Sequence, residues 1–223
     1  VAEVHPHLAP VYAGSFEKFD EAALADVDLV FAALPHGHSQ AIAPTILDRG
    51  IPFVDLGADF RLDDAATYEL WYGHAHEAPA LLGEFVYGIP ELNRAAIRGS
   101  KAVAAAGCYA TAAILALKPL VDSGLVKPKS LIVDAASGVS GAGREAKEAT
   151  GFSTVDGSFA AYGLLNHRHT AEMEMALGAT VLFTPHLAPM TRGILATCYG
   201  EATGSGDPLE ALKAAYADEP FVH

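Results

Sequence analysis

A strand–helix–strand pattern between residues 27 and 56 is the feature that most limits the possible folds of this chain. Residues 27–34 form an almost continuous apolar run that ends at a Pro-His-Gly turn, as expected of a strand buried on both faces. A helical pattern follows from Ser39 to about Asp48, and residues 51–56 have the composition of a second strand. Two strands joined by a helical crossover lie parallel in one sheet. The sequence therefore predicts an α/β fold with a parallel sheet.

The rest of the chain continues this alternation and then changes character. Further elements are predicted, in chain order, at residues 16–25 (helix), 101–105 (strand), 110–121 (helix), 130–136, 180–184 and 194–199 (strands) and 207–217 (helix). The strands predicted at residues 180–184 and 194–199 contain polar as well as apolar residues, which suits a mixed sheet. Asp207 followed by Pro208 is a typical start signal for the last helix. We therefore divide the chain into a parallel-sheet domain at residues 1–107 and a second α/β domain at residues 108–223.

Composition excludes several classes of protein. The chain carries 27 acidic and 14 basic residues, a formal net charge of −13, which argues against binding of nucleic acid or of an anionic membrane surface. No apolar run approaches the ~18 residues that a bilayer span needs. The 2 cysteines have neither disulfide nor zinc spacing, so we expect a reducing, cytoplasmic location.

The start of the chain lacks a feature that dinucleotide-binding folds normally have. Such folds open with a strand, a glycine-rich turn and a helix that receives the pyrophosphate, and no such turn precedes residue 27. The sequence also begins without Met. One interpretation is that the chain starts partway through the fold, with its first strand, turn and helix removed. The other is that it does not bind a dinucleotide.

Cys108 lies between a predicted strand and a predicted helix, directly after Gly107. The unpaired N–H groups of a first helical turn favour thiolate over thiol, and they can hold an oxyanion that forms on an attacked acyl carbon. Gly107 permits a sharp turn and the close approach of a substrate. These features favour a nucleophilic cysteine, although a buried structural cysteine at a strand end remains open. Cys198, within an apolar strand, is predicted to be structural.

The densest group of acid–base side chains is His167-Arg168-His169. Two imidazoles beside a guanidinium can move a proton and bind an anion in one place. The alternative is a solvated polar turn at the start of a helix, with Thr170 as its cap. His36, His38, His74 and His76 do not have zinc spacing, so no metal site is predicted.

A glycine-rich segment at residues 137–143 follows a predicted strand. Free N–H groups, serine hydroxyls and a helix N-terminus behind them would suit an anion or a nicotinamide. The segment lacks the Gly-Lys-Ser/Thr ending of a P-loop, and a flexible loop is the alternative.

Several blocks of this sequence together resemble one enzyme family, the N-acetyl-gamma-glutamyl-phosphate reductases. The resemblance runs from about Asp28 to the C-terminus, in the order of the family's own blocks. The blocks are Ala33-Leu34-Pro35-His36-Gly37, residues 55–62 (DLGADFRL), residues 87–93 (YGIPELN), Gly107-Cys108-Tyr109, residues 137–144, His167-Arg168-His169-Thr170 and residues 183–195 (FTPHLAPMTRGIL).

The resemblance implies a Rossmann domain, an α+β catalytic and oligomerisation domain, NADP(H), an acyl-phosphate substrate and a homo-oligomer, either dimer or tetramer. Cys108 would attack the gamma-acyl phosphate of N-acetylglutamate and expel phosphate, and the thioester would be reduced to the semialdehyde. His167 is the first candidate for the acid–base residue and His169 the second. The substrate-binding candidates are Arg61, Tyr109, Arg168 and Arg192, and the cofactor-binding candidates are Leu34, Pro35, His36, Ser137, Gly138, Ser140, Gly141, Ala142 and Gly143.

Three other functions stay open at this point. A related acyl-phosphate reductase, such as aspartate-semialdehyde dehydrogenase, shares the Cys/His chemistry but not the His-Arg-His-Thr block. A Cys/His hydrolase would need no cofactor. A non-catalytic binding protein that has lost its nucleotide site would show neither activity nor stabilisation by the cofactor.

Overall fold

The computed structural model describes residues 1–204 and 206–223 as two four-stranded sheets with helices packed against them. The strands are β1 (Val30–Ala32), β2 (Phe53–Asp55), β3 (Val86–Gly88), β4 (Ala102–Ala105), β5 (Leu131–Ser137), β6 (Ala160–Ala161), β7 (Val181–Leu187) and β8 (Ile194–Tyr199). The α-helices are α1 (Ser39–Asp48), α2 (Ala65–Tyr72), α3 (Pro90–Gly99), α4 (Cys108–Asp122), α5 (Phe152–Val155), α6 (His169–Leu177) and α7 (Pro208–Tyr216). Within this described part of the chain, the helices lack the combined length and apolarity that crossing a membrane requires.

The first sheet has the strand order β1-β2-β4-β3, and all of its strand pairs are parallel. This confirms the predicted strand–helix–strand unit, in which α1 is the crossover and packs Ile46 against the buried Phe53. Because the strands are parallel, their carboxyl ends meet at one edge of the sheet. The turn after β1, the turn after β2 and the Gly107–Cys108 junction after β4 therefore lie along the same edge.

Two predictions in the first domain are wrong in detail. The helix predicted at residues 16–25 is reduced to a 3₁₀ turn at Glu21–Leu24, because Phe16 and Phe19 lie exposed and bury too little apolar surface to support a longer helix. The strand predicted at residues 27–34 shortens to β1, which lies at the edge of the sheet with Phe31 62% exposed rather than buried on both faces.

The second sheet is mixed, as predicted, with the order β6-β7-β5-β8. Strands β5 and β7 are parallel, whereas β8 and β6 run antiparallel to their neighbours. One face of this sheet packs on α4 and α6, and Tyr109, Ile114, Met173 and Phe183 are buried between them. Helix α4 begins at Cys108, two residues before its predicted start, so the nucleophile candidate is the first residue of the helix. Asp207 caps α7 as predicted.

Candidate active site

The sulfur of Cys108 lies at the N-terminus of α4 and is exposed to solvent. Gly107 is the N-cap in an extended conformation, and the hydrogen bonds of the helix begin with Thr111 N–H donating to Gly107 C=O at 2.8 Å. The N–H groups of the first turn therefore point out of the helix end, beside the sulfur. This is the arrangement that nucleophilic attack on an acyl carbon requires, because the same groups face the developing oxyanion.

His169 lies directly against the backbone of Gly107. A Cβ atom added to Gly107 would overlap the imidazole ring of His169, so no larger residue fits there without displacing that ring. The contact brings the first residue of α6 to the residue that precedes the nucleophile. Close packing, rather than an unusual backbone angle, is therefore what requires glycine at this position.

Glu172 connects the residue before Cys108 to the parallel-sheet part of the chain, and the sequence reasoning missed it. Its carboxylate has no exposed surface. It accepts hydrogen bonds from Gly107 N–H at 2.8 Å, from the Tyr87 hydroxyl at 2.8 Å and from Arg61 Nη1 at 3.1 Å. In the sequence, Glu172 is only an acidic residue shortly after the His-Arg-His triplet, which indicates no role for it. Because Gly107 N–H bonds to Glu172, it cannot serve as an oxyanion donor, and that role falls to the first-turn amides of α4.

Both imidazoles of the His-Arg-His triplet are held neutral by burial. Desolvation lowers the pKa of His167 to about 4, and the neighbouring His169 lowers it further. Desolvation, with a smaller effect of Arg61, lowers the pKa of His169 to about 4. The backbone N–H of His169 donates to Nδ1 of His167 at 3.2 Å, so a neutral His167 carries its proton on Nε2. Neutral imidazoles at pH 7 can accept a proton.

A cavity of about 570 Å³ opens over Cys108. Its wall contains seven of the predicted site residues, namely Cys108, Tyr109, Ser137, Gly141, Ala142, His167 and His169. The rest of the wall was not predicted, and it consists of Ala149, Thr150, Thr154, Val155, Ser158, Ala160, Tyr162 and Leu187. The volume is in the range of small-molecule sites, and the wall is mostly apolar.

Tyr162 is one of the polar side chains of this wall that the sequence reasoning missed. Its hydroxyl lies 3.0 Å from that of Tyr109, and Tyr109 in turn donates to the backbone carbonyl of His186 at 3.1 Å. Burial raises the pKa of both tyrosines, so both hydroxyls stay protonated. The residues that these hydrogen bonds join are more than 50 positions apart in sequence, so local sequence patterns do not reveal the contact.

The glycine-rich segment at residues 138–143 does not offer the free N–H groups that the sequence predicted. The N–H groups of Gly138, Val139 and Ser140 donate to backbone carbonyls of residues 193, 190 and 191. A Cβ on Gly138 would also overlap the backbone of Arg192. The segment is a short 3₁₀ helix (Val139–Ala142) sealed against the loop after β7, and no α-helix starts directly behind it. The prediction of an anion cradle in this backbone is therefore wrong.

The members of this segment lie on different surfaces. Ser137, Gly141 and Ala142 reach the cavity above Cys108, whereas Ser140 lines a neighbouring depression with Phe152 and Met190. Gly138 and Gly143 are outside the wall of the main cavity. Their predicted contact with a cofactor remains a prediction.

The three predicted arginines have different surroundings. Arg61 is mostly buried, and its guanidinium donates to Ala105 C=O, to Glu172 and to Leu56 C=O. Arg168 lies over the ring of Tyr72 at 4.8 Å, and it lines, together with Arg61, a cavity of about 330 Å³ that shares both histidines with the larger one. The guanidinium of Arg61 already donates to three protein acceptors. Arg192 is exposed on the loop after β7. Arg168 is therefore the arginine best placed to meet an anion beside the histidines.

Leu34, Pro35 and His36 follow β1 at the carboxyl edge of the parallel sheet, the edge that also carries Cys108. Nδ1 of His36 lies 3.3 Å from Asp59, whose carboxylate accepts from the N–H groups of Gly37 and Ser39 at the start of α1. In open parallel sheets, ligands bind at this edge. A nicotinamide in the main cavity and the rest of a dinucleotide along the edge would fit these residues.

Among residues 1–204 and 206–223, no group of three or more His, Cys, Asp or Glu side chains is arranged to hold a metal ion. His36 and His74 do approach each other, with 3.4 Å between their Nε2 atoms. This pair links the turn after β1 to the segment after α2.

Two family models match the chain. The model described as semialdehyde dehydrogenase, NAD binding domain, matches residues 1–100. The model described as semialdehyde dehydrogenase, dimerisation domain, matches residues 108–223.

Curated relatives carry one common name. An N-acetyl-gamma-glutamyl-phosphate reductase of Desulforudis audaxviator is 49% identical and aligns with 98% of this chain and 66% of its own length. The enzyme of the same name from Halorhodospira halophila is 46% identical, over 100% of this chain and 67% of its own length. The chain thus spans about two thirds of the length of these relatives.

Solved structures show the same fold at low identity. Aspartate semialdehyde dehydrogenase II of Vibrio cholerae, complexed with ASA, superposes with a TM-score of 0.62 at 17% identity, over 91% of this chain and 62% of that one. Aspartate semialdehyde dehydrogenase of Candida albicans, with NADP, gives a TM-score of 0.57 at 13% identity, over 86% and 55% of the two chains.

Proposed function

Because this chain belongs to the semialdehyde dehydrogenase family, and within it to the N-acetyl-gamma-glutamyl-phosphate reductases, we propose that it reduces N-acetyl-gamma-glutamyl phosphate to the semialdehyde and releases phosphate. The observation that carries this proposal is the exposed Cys108 sulfur at the start of α4, in one cavity with two neutral imidazoles. The proposal places this reaction in arginine biosynthesis.

The first step belongs to Cys108. Its thiolate attacks the acyl carbon, the carbon–oxygen bond to the phosphate breaks, and phosphate leaves with the bonding electrons, which produces a thioester. The first-turn amides of α4 stabilise the negative oxygen of the tetrahedral intermediate.

The acid–base step is assigned to His169 rather than to His167. The ring of His169 abuts Gly107, whereas His167 uses its Nδ1 to accept the backbone N–H of His169. This reverses the order of the two candidates suggested by the sequence alone. Neutral His169 accepts the thiol proton before attack, donates it to the oxygen of the reduced thioester and withdraws it again when the aldehyde forms.

The cofactor in this proposal is NADP(H), which supplies the hydride to the thioester when it is bound. The residues that would hold it are the turn Leu34–His36 at the sheet edge and the cavity wall at Ser137, Gly141 and Ala142. The family model for a NAD binding domain over residues 1–100 supports this assignment.

The anionic groups of the substrate need a cation beside the catalytic cavity. Arg168 lines the smaller cavity that shares His167 and His169 with the larger one. A guanidinium binds carboxylate and phosphate through paired hydrogen bonds. We therefore assign an anion of the substrate to Arg168, and we assign to Arg61 the task of holding Glu172.

One assay tests the function. N-acetylglutamate semialdehyde, NADP⁺ and inorganic phosphate are incubated with the protein, and NADPH formation is followed by absorbance. We expect turnover that requires both NADP⁺ and phosphate. Turnover with aspartate semialdehyde but not with the N-acetylated substrate would favour the related dehydrogenase, and ester hydrolysis without either co-substrate would favour a hydrolase.

A second copy of the chain is the proposed partner. The outer face of the mixed sheet exposes Leu182, Ile132 and Tyr199, which the strand register brings side by side across β7, β5 and β8. Leu195 is exposed further along β8, where it pairs with Ala136. Exposed apolar surface on a sheet face is typical of an interface. The dimerisation-domain model covers all of these strands. A homodimer through this face is proposed, and analytical ultracentrifugation of the protein tests it.

We also propose a reducing compartment, the cytoplasm, for this protein. Both cysteines are free thiols, and Cys108 is exposed. A nucleophilic thiol must stay reduced to react, and the cytosol maintains that state.

A further inference from the structure

The hydrogen-bond direction in the Tyr162–Tyr109–His186 chain is fixed by chemistry. The carbonyl of His186 can only accept, so the single hydroxyl proton of Tyr109 is used on it. The contact of 3.0 Å between the two hydroxyls then requires Tyr162 to donate. With its own proton used, the oxygen of Tyr162 can only accept a further hydrogen bond.

Tyr162 is held at both ends. Its backbone N–H donates to Pro185 C=O at 3.1 Å, and its hydroxyl is bonded to the buried Tyr109. The ring also contacts the edge of His167, with 5.7 Å between centroids. The side chain still lines the cavity above Cys108 and is 40% exposed. It therefore presents a fixed acceptor to a ligand in that cavity.

The charge of the cavity wall limits which donor that acceptor meets. Among the described residues that line the cavity, none is Asp or Glu, so an ammonium group would find no counter-ion. Burying an unpaired charge is costly, whereas a neutral N–H needs only one acceptor. Ala142, Ala149, Val155, Ala160 and Leu187 supply apolar surface for a small acyl group.

From this geometry we propose that Tyr162 is a specificity-determining residue, whose hydroxyl oxygen accepts the amide N–H of an N-acylated substrate. The inference rests on the proposed function and deepens it, because it names the group that distinguishes an N-acylated substrate from a free amine. The acyl group would lie on the apolar wall, and the acceptor would replace the counter-ion that an amine would need.

The test compares two substrates that differ only in the donor. N-acetylglutamate semialdehyde carries an amide N–H, and its ester analogue, 2-acetoxy-5-oxopentanoate, has oxygen in that place. We expect wild-type kcat/KM to favour the amide by about 10-fold, the scale of one neutral hydrogen bond. Tyr162→Phe should reduce this ratio to about 1-fold, whereas Tyr12→Phe, which removes the hydroxyl of an exposed tyrosine in the N-terminal segment, should preserve it.

Calorimetric titration of N-acetylglutamate and 2-acetoxyglutarate without cofactor gives the same comparison independently of turnover. An unchanged amide-to-ester ratio in Tyr162→Phe, in kinetics and in calorimetry, would overturn the inference. An equal rise of the KM for NADP⁺ with both substrates would also overturn it, by moving the hydrogen bond to the cofactor. If the wild type turned over neither substrate, the proposed function would be wrong. The ratio of the amide and ester affinities from calorimetry would still decide the role of Tyr162.

Discussion

Glu172 accepts a hydrogen bond from the backbone N–H of Gly107 at 2.8 Å, although 65 residues separate them in sequence. The carboxylate is fully buried and also accepts from Tyr87 and Arg61. The residue that precedes Cys108 is thus anchored by a side chain of α6. The Glu172 carboxylate therefore orients Arg61 and the junction between β4 and α4 together.

Glu172→Gln is expected to destabilise the fold by about 3 kcal/mol. Gly107 N–H and the Tyr87 hydroxyl both bond to Oε2 and Arg61 bonds to Oε1, so an amide oxygen that keeps the first two bonds turns its NH₂ group toward the guanidinium and leaves Arg61 without its charge partner. Urea unfolding measures the loss, and kcat should fall with it. Glu210→Gln is the matched control, since Glu210 pairs with Lys213 on an exposed helix face. We expect a change within about 0.5 kcal/mol there. Equal stability of the two variants would contradict the role of Glu172.

Gly107→Ala is expected to destabilise the protein by about 1–3 kcal/mol, the usual cost of overpacking, and to lower kcat at least about 10-fold by displacing His169. Gly99→Ala is the control, because a Cβ there meets nothing within 4 Å. Thermal unfolding and steady-state kinetics check both variants. Wild-type turnover in Gly107→Ala would show that the ring of His169 has room to move.

Cys108→Ser is expected to abolish turnover while its unfolding curve stays close to that of the wild type, since the side chain is exposed. Cys198→Ala, which changes the partly buried thiol on β8, should retain activity. Iodoacetamide should modify Cys108 first, and substrate should protect it, as read by mass spectrometry of peptides. Near-normal rates in Cys108→Ser would rule out covalent catalysis.

His169→Asn is expected to lower kcat by about 10²-fold or more, the usual scale for an acid–base group. His167→Asn should have a smaller effect, through the lost hydrogen bond to the His169 backbone. Single-turnover kinetics with NADPH separate the chemical step from binding. A larger loss in His167→Asn would return the acid–base role to His167.

Acid should destabilise the fold between about pH 6.5 and pH 4. The pKa of His167 and His169 is lowered from 6.5 to about 4, so the folded state binds fewer protons than the unfolded chain in this window. The contribution of these two neutral imidazoles to the free energy of unfolding is complete above about pH 6.5 and is lost as the pH falls toward 4. His36 and His76, also with lowered pKa, act in the same direction. Urea midpoints from pH 4 to 8 should show this slope, and the double variant at His167 and His169 should flatten it, whereas His7→Asn should not.

Local patterns were sufficient to predict much of the fold. Helix α1 begins and ends where its periodicity and its flanking turn place it, and β8 has its predicted bounds. Both elements have continuous patterns bounded by turn residues. The prediction failed at residues 16–25, where a helical pattern has too little apolar burial to support it. Strand β3 was not predicted, because three residues are too few to show an alternation of polar and apolar side chains.

The candidate site was predicted only where its residues form short blocks. Cys108 and His169 were found, because a Gly-Cys junction and a dense histidine triplet are visible in sequence. Glu172 and Tyr162 were missed, because their roles come from contacts across 65 and 53 residues. The anion cradle at residues 137–143 was predicted wrongly, since the sequence does not show that a distant loop accepts hydrogen bonds from the N–H groups of residues 138–140.

The ion pair between Arg61 and Glu172 joins the parallel-sheet half of the chain to α6. If these two parts of the protein rotated apart, the buried Glu172 carboxylate would lose Arg61 and its other hydrogen-bond donors together. This loss opposes the rotation by several kcal/mol, on the order of the cost of breaking a buried ion pair. We therefore expect no hinge-like opening between these two parts of the protein. Ligand exchange would proceed through the open side of the cavity, while the two sheets stay a rigid frame.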